Sequence, residues 1–306
     1  MKGARPKIAV VGSMVMDLVF RVARRPQEGE TMPADSFGMF LGGKGFNQAV
    51  ACRRLGAEVT IVGRVGQDVF GDMFLAKLRE EGMATKYVKQ DRAVGTGVAA
   101  PVVFPSGQNS IIAAPRANVH LAPEDVDAAA SEIEPADMLM LQYEVNPAAS
   151  RRAAEIARSS GVPILLDPAP AHAAQTGDDY FQADYLVPNE IEATMIAGDG
   201  KPTQWVRTLL PGRKALVVSL GEKGALLADQ QGISTFAGFR VDVVDTTGAG
   251  DAFRAGLAVM LAQGRSIDQA VRFANACGAL ACTVLGAEPS MPTLQAVESF
   301  LAEKGA

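Results

Sequence analysis

Nine residues in the C-terminal third, Asp245-Thr246-Thr247-Gly248-Ala249-Gly250-Asp251-Ala252-Phe253, place two glycines just ahead of an apolar, helix-patterned stretch at about Asp251–Gln263. Glycines let a backbone approach a ligand closely, and a helix N-terminus adds unpaired N–H groups and about half a positive charge. Such a turn attracts an anion. A carboxylate at the same spot would repel phosphate. Asp251 makes chemical sense there if it accepts a proton from a hydroxyl attacking a phosphoryl group held by the amides of that turn. The plainer alternative is that Asp251 is only the N-cap of the helix. The segment by itself leaves both open.

A second glycine-rich turn, Gly42-Gly43-Lys44-Gly45-Phe46-Asn47-Gln48, lies some two hundred residues earlier. Gly38, Gly43 and Lys44 have the spacing of a Walker A loop, but Gly45 stands where Ser or Thr must ligate Mg²⁺, so a P-loop is rejected. Lys44 and Asn47 can instead offer donors to a polyol or an anion, or the turn is merely tight and Lys44 solvated. Val187-Pro188-Asn189-Glu190-Ile191-Glu192 joins a strand end to a helix start. Asn189 and Glu192 there could hold a hydrated Mg²⁺, or could form a capping box and nothing more. Ser219-Leu220-Gly221-Glu222-Lys223-Gly224 reads most simply as a hairpin turn into Ala225–Ala228.

The rest of the composition narrows the chemistry. Lys and Arg total 29 against 34 Asp and Glu, a net charge of −5, which disfavours a nucleic-acid groove. Only His120 and His172 could serve a Ser-His-Asp triad or a zinc site, and neither has the required context. Cys52, Cys277 and Cys282 cannot all pair; they fall in helix-like stretches and are expected as buried thiols in a reducing cytoplasm. The longest uncharged stretch, Ala93 to Pro115, is broken by glycines and prolines, so no membrane span is expected. The apolar run after Lys7 ends at Asp17 without a cleavage signal and reads as a first buried strand.

These residues need a scaffold. Apolar runs at Lys7–Gly12, Val59–Gly63, Met138–Gln142, Val162–Asp167, Tyr185–Pro188, Ala215–Leu220 and Ala225–Ala228 predict strands. Helix-patterned stretches lie between and after them, at Asn47–Leu55, Phe70–Glu81, Pro123–Ser131, Pro147–Ser160, Glu190–Ile196, Thr203–Leu210, Asp251–Gln263, Ser266–Val284 and Pro292–Glu303. Strands that are apolar throughout, alternating with helices, predict an α/β fold with a mainly parallel sheet covered on both faces. Leu18–Phe40 and Val94–Ala114 are strand-like without a helix between their strands, and read as hairpins forming a small β-sheet lid.

The pair GGKGFNQAV and DTTGAGDAF resembles the two signatures of the PfkB carbohydrate kinase family, and within it the ribokinase pattern. GSMVMD (12–17), LMLQYE (139–144), LLDPAPA (165–171), VPNEIEA (187–193), VSLGEKG (218–224) and GAEPSMP (286–292) follow in the family order, so the likeness covers nearly the whole chain. It implies one ribokinase-like, three-layer kinase domain over residues 1–306, with lid strands at about 15–40 and 94–115. The implied reaction is ATP-dependent phosphorylation of a primary hydroxyl of a small sugar, ribose first, with ATP and Mg²⁺ as cofactors and K⁺ as activator.

Carried over by position, the resemblance makes Asp251 the base, with Gly248, Ala249 and Gly250 as its anion hole. Asp17, Gly43, Lys44, Asn47 and Glu144 would bind the sugar. Asn189, Ser219, Gly221, Gly224 and Asn275 would line the ATP site, with Asn275 near the adenine and Glu192 organising Mg²⁺ indirectly. Asp245, Thr247, Ala281, Val284, Gly286 and Ser290 would surround K⁺. A homodimer through the lid is implied as well.

Four positions depart from the pattern. Val15 replaces the usual Asn of the first motif and Phe46 the usual Ala, which is expected to make the sugar end smaller and more apolar. Arg116 and Arg254 add cationic reach near the mouth, either as solvated surface or against an anionic substituent of the substrate. These departures keep other acceptors open: a fructose or sulfonated ketose, a nucleoside, a keto-deoxy acid or a sugar phosphate. A non-catalytic sugar or nucleotide sensor is the alternative of a different class.

Overall fold

The computed structural model describes residues 5–105, 109–171, 182–198 and 200–305. His172 and part of the turn after Pro105, both read from the sequence above, lie outside them. The strands are β1 (Lys7–Val11), β2 (Val15–Arg21), β3 (Ser36–Gly42), β4 (Glu58–Gly66), β5 (Val88–Asp91), β6 (Gly97–Val103), β7 (Asn109–Ala114), β8 (Met138–Gln142), β9 (Ile164–Asp167), β10 (Tyr185–Leu186), β11 (Ala215–Ser219), β12 (Ala225–Asp229) and β13 (Gly232–Phe236). The helices are α1 (Lys44–Arg54), α2 (Val69–Glu80), α3 (Pro123–Asp127), α4 (Ala130–Ile133), α5 (Pro147–Ser159), α6 (Glu190–Ala197), α7 (Pro202–Leu209), α8 (Ala249–Ala262), α9 (Ile267–Ala281), α10 (Ala287–Ser290) and α11 (Leu294–Lys304).

Nine strands form the main sheet in the order β13-β12-β11-β10-β9-β8-β1-β4-β5. It is parallel from β11 to β5, and β12 and β13 add antiparallel at one edge. Side chains alternate across a strand, so each central strand feeds two cores. Ile8 and Val10 of β1 join Met138 and Met140 of β8 beneath α1, α8 and α9, while Ala9, Val11, Leu139 and Leu141 pack under α5 on the other face. The expected three-layer arrangement is what the chain adopts. A separate four-stranded sheet, β3-β2-β6-β7, is built from the two predicted hairpins, which join through the parallel pair β2–β6.

Three expectations need correction. The helix read at Pro123–Ser131 is two short pieces, α3 and α4. Helix α8 starts at Ala249, two residues earlier than expected, because Gly248 takes the left-handed conformation (φ 80°) that ends the preceding loop. Cys52 and Cys277 are buried, but Cys282, which caps α9, is only half-buried; all three are free. No helix among the described residues is long and apolar enough to cross a membrane.

Candidate active site

In an open parallel sheet, ligands bind beyond the carboxyl ends of the strands. That is where the polar residues collect. In β8 and β9 the alternation turns Gln142 and Asp167, paired in register, toward the face covered by α1 and α8. Helix α1 presses its first turn onto the end of β1: a Cβ on Gly45 would lie 2.5 Å from the backbone of Gly12 and Ser13, and Phe46 N donates to Ser13 O at 2.9 Å. Only glycine allows that approach. Gly43 just before it has φ 91°, so the GGKG run is required by geometry at two positions.

The close packing brings both glycine motifs to one point. Asn47 Nδ2 donates to Asp251 Oδ2 at 2.9 Å, and Gln48 Nε2 donates to Asp251 Oδ1 at 3.0 Å and to Asp167 Oδ2 at 2.9 Å. Gln142 Nε2 closes the network on Gln48 Oε1 at 2.8 Å. Asp251 is buried (7% exposed) and occupies the third position of α8, whose N-cap is Gly248; the reading of Asp251 as the cap is therefore wrong. Asn47 Oδ1 is buried without a hydrogen-bond partner. A buried acceptor left unpaired costs about 1–3 kcal/mol, which a ligand hydroxyl would relieve.

Lys44 lies among carboxylates rather than in bulk solvent. Its amide donates to Glu144 Oε2 at 3.0 Å, an oxygen that also takes the Ser13 hydroxyl. Burial pulls the Lys44 ammonium down, but Asp167, Asp251 and Glu144 outweigh it and hold the group above the ordinary lysine value. Asp17 stands on β2 over Gly42, where a Cβ would meet its carboxylate at 2.4 Å. Burial first, then Glu144 and Asp251, push Asp17 up to about 7.

A second cluster lies alongside. Asn189 caps α6 by accepting from Glu192 N at 2.8 Å while Glu192 Oε2 accepts from Asn189 N at 2.8 Å, so the capping box is real. Asn189 also bridges to Ser219 at the end of β11. Gly221 and Gly224 shape the turn into β12; a Cβ on Gly224 would stand 2.0 Å from Phe236 O. Asn275 Nδ2 reaches Phe236 O and Ala237 O, both at 3.3 Å, and so fixes the neighbouring strand end.

A third group sits behind the α8 turn. Asp245 accepts from Gly286 N at 2.9 Å, Thr247 N at 3.0 Å and Thr247 Oγ1 at 2.7 Å. Burial works to raise its carboxyl, but these donors hold it below the usual carboxylate range. Asp245 N also donates to Cys282 O at 3.2 Å, so this turn lies against the end of α9 and the residue that precedes α10.

Two of the four departures lie in the interior. Phe46 is fully buried and packs edge-on against Phe74 (centroids 4.9 Å apart, 86° between planes), so it fills the core beneath α1. Arg254 is 3% exposed, so it is neither solvated nor open to a substrate anion: Nε lies 2.9 Å from Asp167 Oδ1 and donates to Val187 O at 2.9 Å, and Nη2 lies 3.1 Å from Glu192 Oε2. Burial pushes the Asp167 carboxyl up, and Arg254 and Lys44 pull it back down. Arg116 is exposed, has φ 46°, and folds back with Nη1 donating to Thr96 O at 3.2 Å. Val15 keeps its place beside the site, on the same face of β2 as Asp17.

Ser13, Gln48, Gln142 and Asp167 also join this network, though motif spacing does not single them out. Three of them had a usable signal: a polar side chain at the carboxyl end of an otherwise apolar strand, or just beyond it.

The profile of the pfkB family carbohydrate kinase matches residues 5–294. The chain is 37% identical over 294 residues to a ribokinase of Bacillus subtilis (strain 168), covering 96% of this chain and 99% of that protein. It is 35% identical over 300 residues to a deoxyribokinase of Salmonella typhi, covering 96% and 98%. The solved structure of Arabidopsis thaliana ribokinase complexed with ribose and ATP superimposes with a TM-score of 0.89 at 32% identity, over 97% of this chain and 99% of that one. With two glycine motifs closed on one buried aspartate and a family match over nearly its whole length, the chain belongs to the pfkB family of carbohydrate kinases.

Proposed function

We propose that the whole chain acts as one ATP-dependent kinase that phosphorylates the primary hydroxyl of ribose, with the β2-β3-β6-β7 sheet as its lid. The observation that carries this reading is the contact of Asn47, beside Lys44, with the buried carboxylate of Asp251 one turn into α8. Asp251 takes the proton of the attacking hydroxyl, and the amides of Gly248, Ala249 and Gly250 face the phosphoryl group being transferred. Asp17, Gly43, Lys44, Asn47 and Glu144 orient the sugar, and the unpaired Asn47 Oδ1 is an acceptor for one of its hydroxyls. Phosphoryl transfer asks mainly for positioning and charge stabilisation, which this constellation offers.

ATP fits the second cluster, with Asn189, Ser219, Gly221 and Gly224 along its phosphates and Asn275 behind the adenine end. Glu192 suits a hydrated Mg²⁺, because both its hydrogen-bond contacts fall on Oε2 and leave Oε1 without a partner among the described residues. Mg²⁺ would neutralise charge on the phosphates. Asp245, held ionised, with Thr247, Ala281, Val284, Gly286 and Ser290, suits a potassium ion that would stiffen the loop behind the anion hole. A second copy meeting through the lid and a reducing, cytoplasmic setting for the free thiols complete the reading.

One observation favours a second acceptor. Val15 presents no polar group beside Asp17, so a pentose with one hydroxyl fewer, as the deoxyribokinase relative suggests, loses nothing there. Arg254 gives no support to an anionic acceptor, since its charge is spent on Asp167 and Glu192. The test is ADP formation with ATP, Mg²⁺ and K⁺ over a panel of ribose, 2-deoxyribose, fructose, sugar phosphates and nucleosides. Ribose with the highest kcat/KM supports the first reading, 2-deoxyribose the second; no turnover with any acceptor defeats both.

A further inference from the structure

Arg254 plays no part in the reaction as drawn so far, yet arginine is rarely buried unless its charge is matched. Three segments match it. Asp167 comes from the end of β9, Val187 O from the residue after β10, and Glu192 from the first turn of α6. A fourth contact is with its own helix: Nη1 would stand 2.5 Å from a Cβ on Gly250, so the guanidinium packs directly beneath the anion-hole turn, one helical turn below Asp251. The planar fork therefore ties the turn facing the phosphoryl group to the carboxylate that faces the nucleotide's metal.

Glu192 shows what this tie does. Asn189 N and Arg254 Nη2 both hold Oε2, at 2.8 and 3.1 Å. Two anchors on one oxygen fix the carboxylate and leave Oε1 as the atom free to reach a metal-bound water. With the capping box alone, Glu192 would keep a single anchor and could swing.

Resting on the kinase reading above, we propose that Arg254 is a positioning residue that aims Glu192 at the magnesium of the bound nucleotide and locks it to the first turn of α8. Nucleotide affinity then has two parts: one independent of metal, carried by the Ser219–Gly224 turn, and one gained with Mg²⁺, carried through the Arg254–Glu192 pair. Lysine can keep a buried positive charge against Asp167 but cannot fork to Glu192 and Val187 O together.

Calorimetric titration of ADP, with and without Mg²⁺, tests this on the wild type, Arg254→Lys, Glu192→Gln and the double variant. Lysine preserves the buried charge, and a thermal melt checks that each variant folds. In Arg254→Lys the metal-free ADP affinity stays at the wild-type value, while the gain conferred by Mg²⁺ shrinks about 10-fold or more. Glu192→Gln loses the same gain, and the double variant loses no more than Glu192→Gln alone, since the two act as one unit. A full Mg²⁺ gain in Arg254→Lys, an equal fall in both affinities, or additive losses in the double variant would overturn the proposal. Wild type that binds no ADP at all would instead remove the kinase reading itself.

Discussion

Replacing Asp17 by Asn separates stability from sugar binding in a way that depends on pH. Asp17 faces Glu144 and Asp251 across the site, and burial together with their charges raises its carboxyl from the ordinary 3.8 to about 7. Between those values the folded chain holds a proton that the unfolded chain has released, so folding stability falls as pH rises through the window. Taken at face value, the shift of about 3 pH units corresponds to an upper bound of about 4 kcal/mol. Asp17 keeps some contact with solvent, and screening reduces the expected effect to about 2 kcal/mol. The isosteric Asn removes the charge without changing the shape. Urea denaturation of the ligand-free protein is expected to find Asp17→Asn more stable than wild type by about 2 kcal/mol near pH 8.5, and nearly equal to it near pH 4, close to the ordinary carboxyl value of 3.8. Ribose affinity should move the other way. In the wild type it tightens as pH rises through about 7, because an ionised carboxylate accepts from sugar hydroxyls. In the variant it is weaker and flat with pH. A variant no more stable than wild type at high pH, or stabilised equally at both, would refute the crowded-carboxylate account of this site.

Two further substitutions probe the scaffold. Phe46→Ala should cost about 3–5 kcal/mol in chemical denaturation while leaving the ribose KM unchanged, because the ring packs on Phe74 in the core. A marked change in KM with intact stability would return Phe46 to the sugar pocket. Gly45→Ala places a Cβ 2.5 Å from the backbone of Gly12 and Ser13, which must push α1 off the end of β1. Ribose phosphorylation and the melting temperature should fall together, and a variant with wild-type values for both would show that the close approach is not needed.

Much of the fold could be read from periodicity, because β1, β8, β9 and β11 are apolar on both faces and only a two-sided parallel sheet asks for that. Two strands escaped for the same reason. Val88–Asp91 keeps only its end residues buried and Gly232–Phe236 has no buried residue, so neither carries an apolar run. The Pro123 helix breaks near Ala129, where four small or apolar residues in succession give no breaker to read. At the site, the glycines and Asp251 were legible because a tight turn before a helix restricts residue type. Arg254 was not. Its placement depends on carboxylates supplied by β9 and α6, far away in sequence, and nothing in DAFRAG says that the side chain turns inward. Phe46 was misassigned for a related reason: it follows Lys44 and Gly45 in the motif, but one step around the helix turns it from the ligand side to the core.

The central claim, that Asp251 takes the proton of the acceptor hydroxyl, is tested most directly by Asp251→Asn with ribose, Mg²⁺ and ATP at saturation. The fold should survive, because the Asn47 amide can turn over and offer its unpaired Oδ1 to the new NH₂ group. The account predicts that kcat falls about 100-fold or more, while calorimetry finds ADP bound as tightly as by the wild type. Turnover close to the wild-type rate would contradict it.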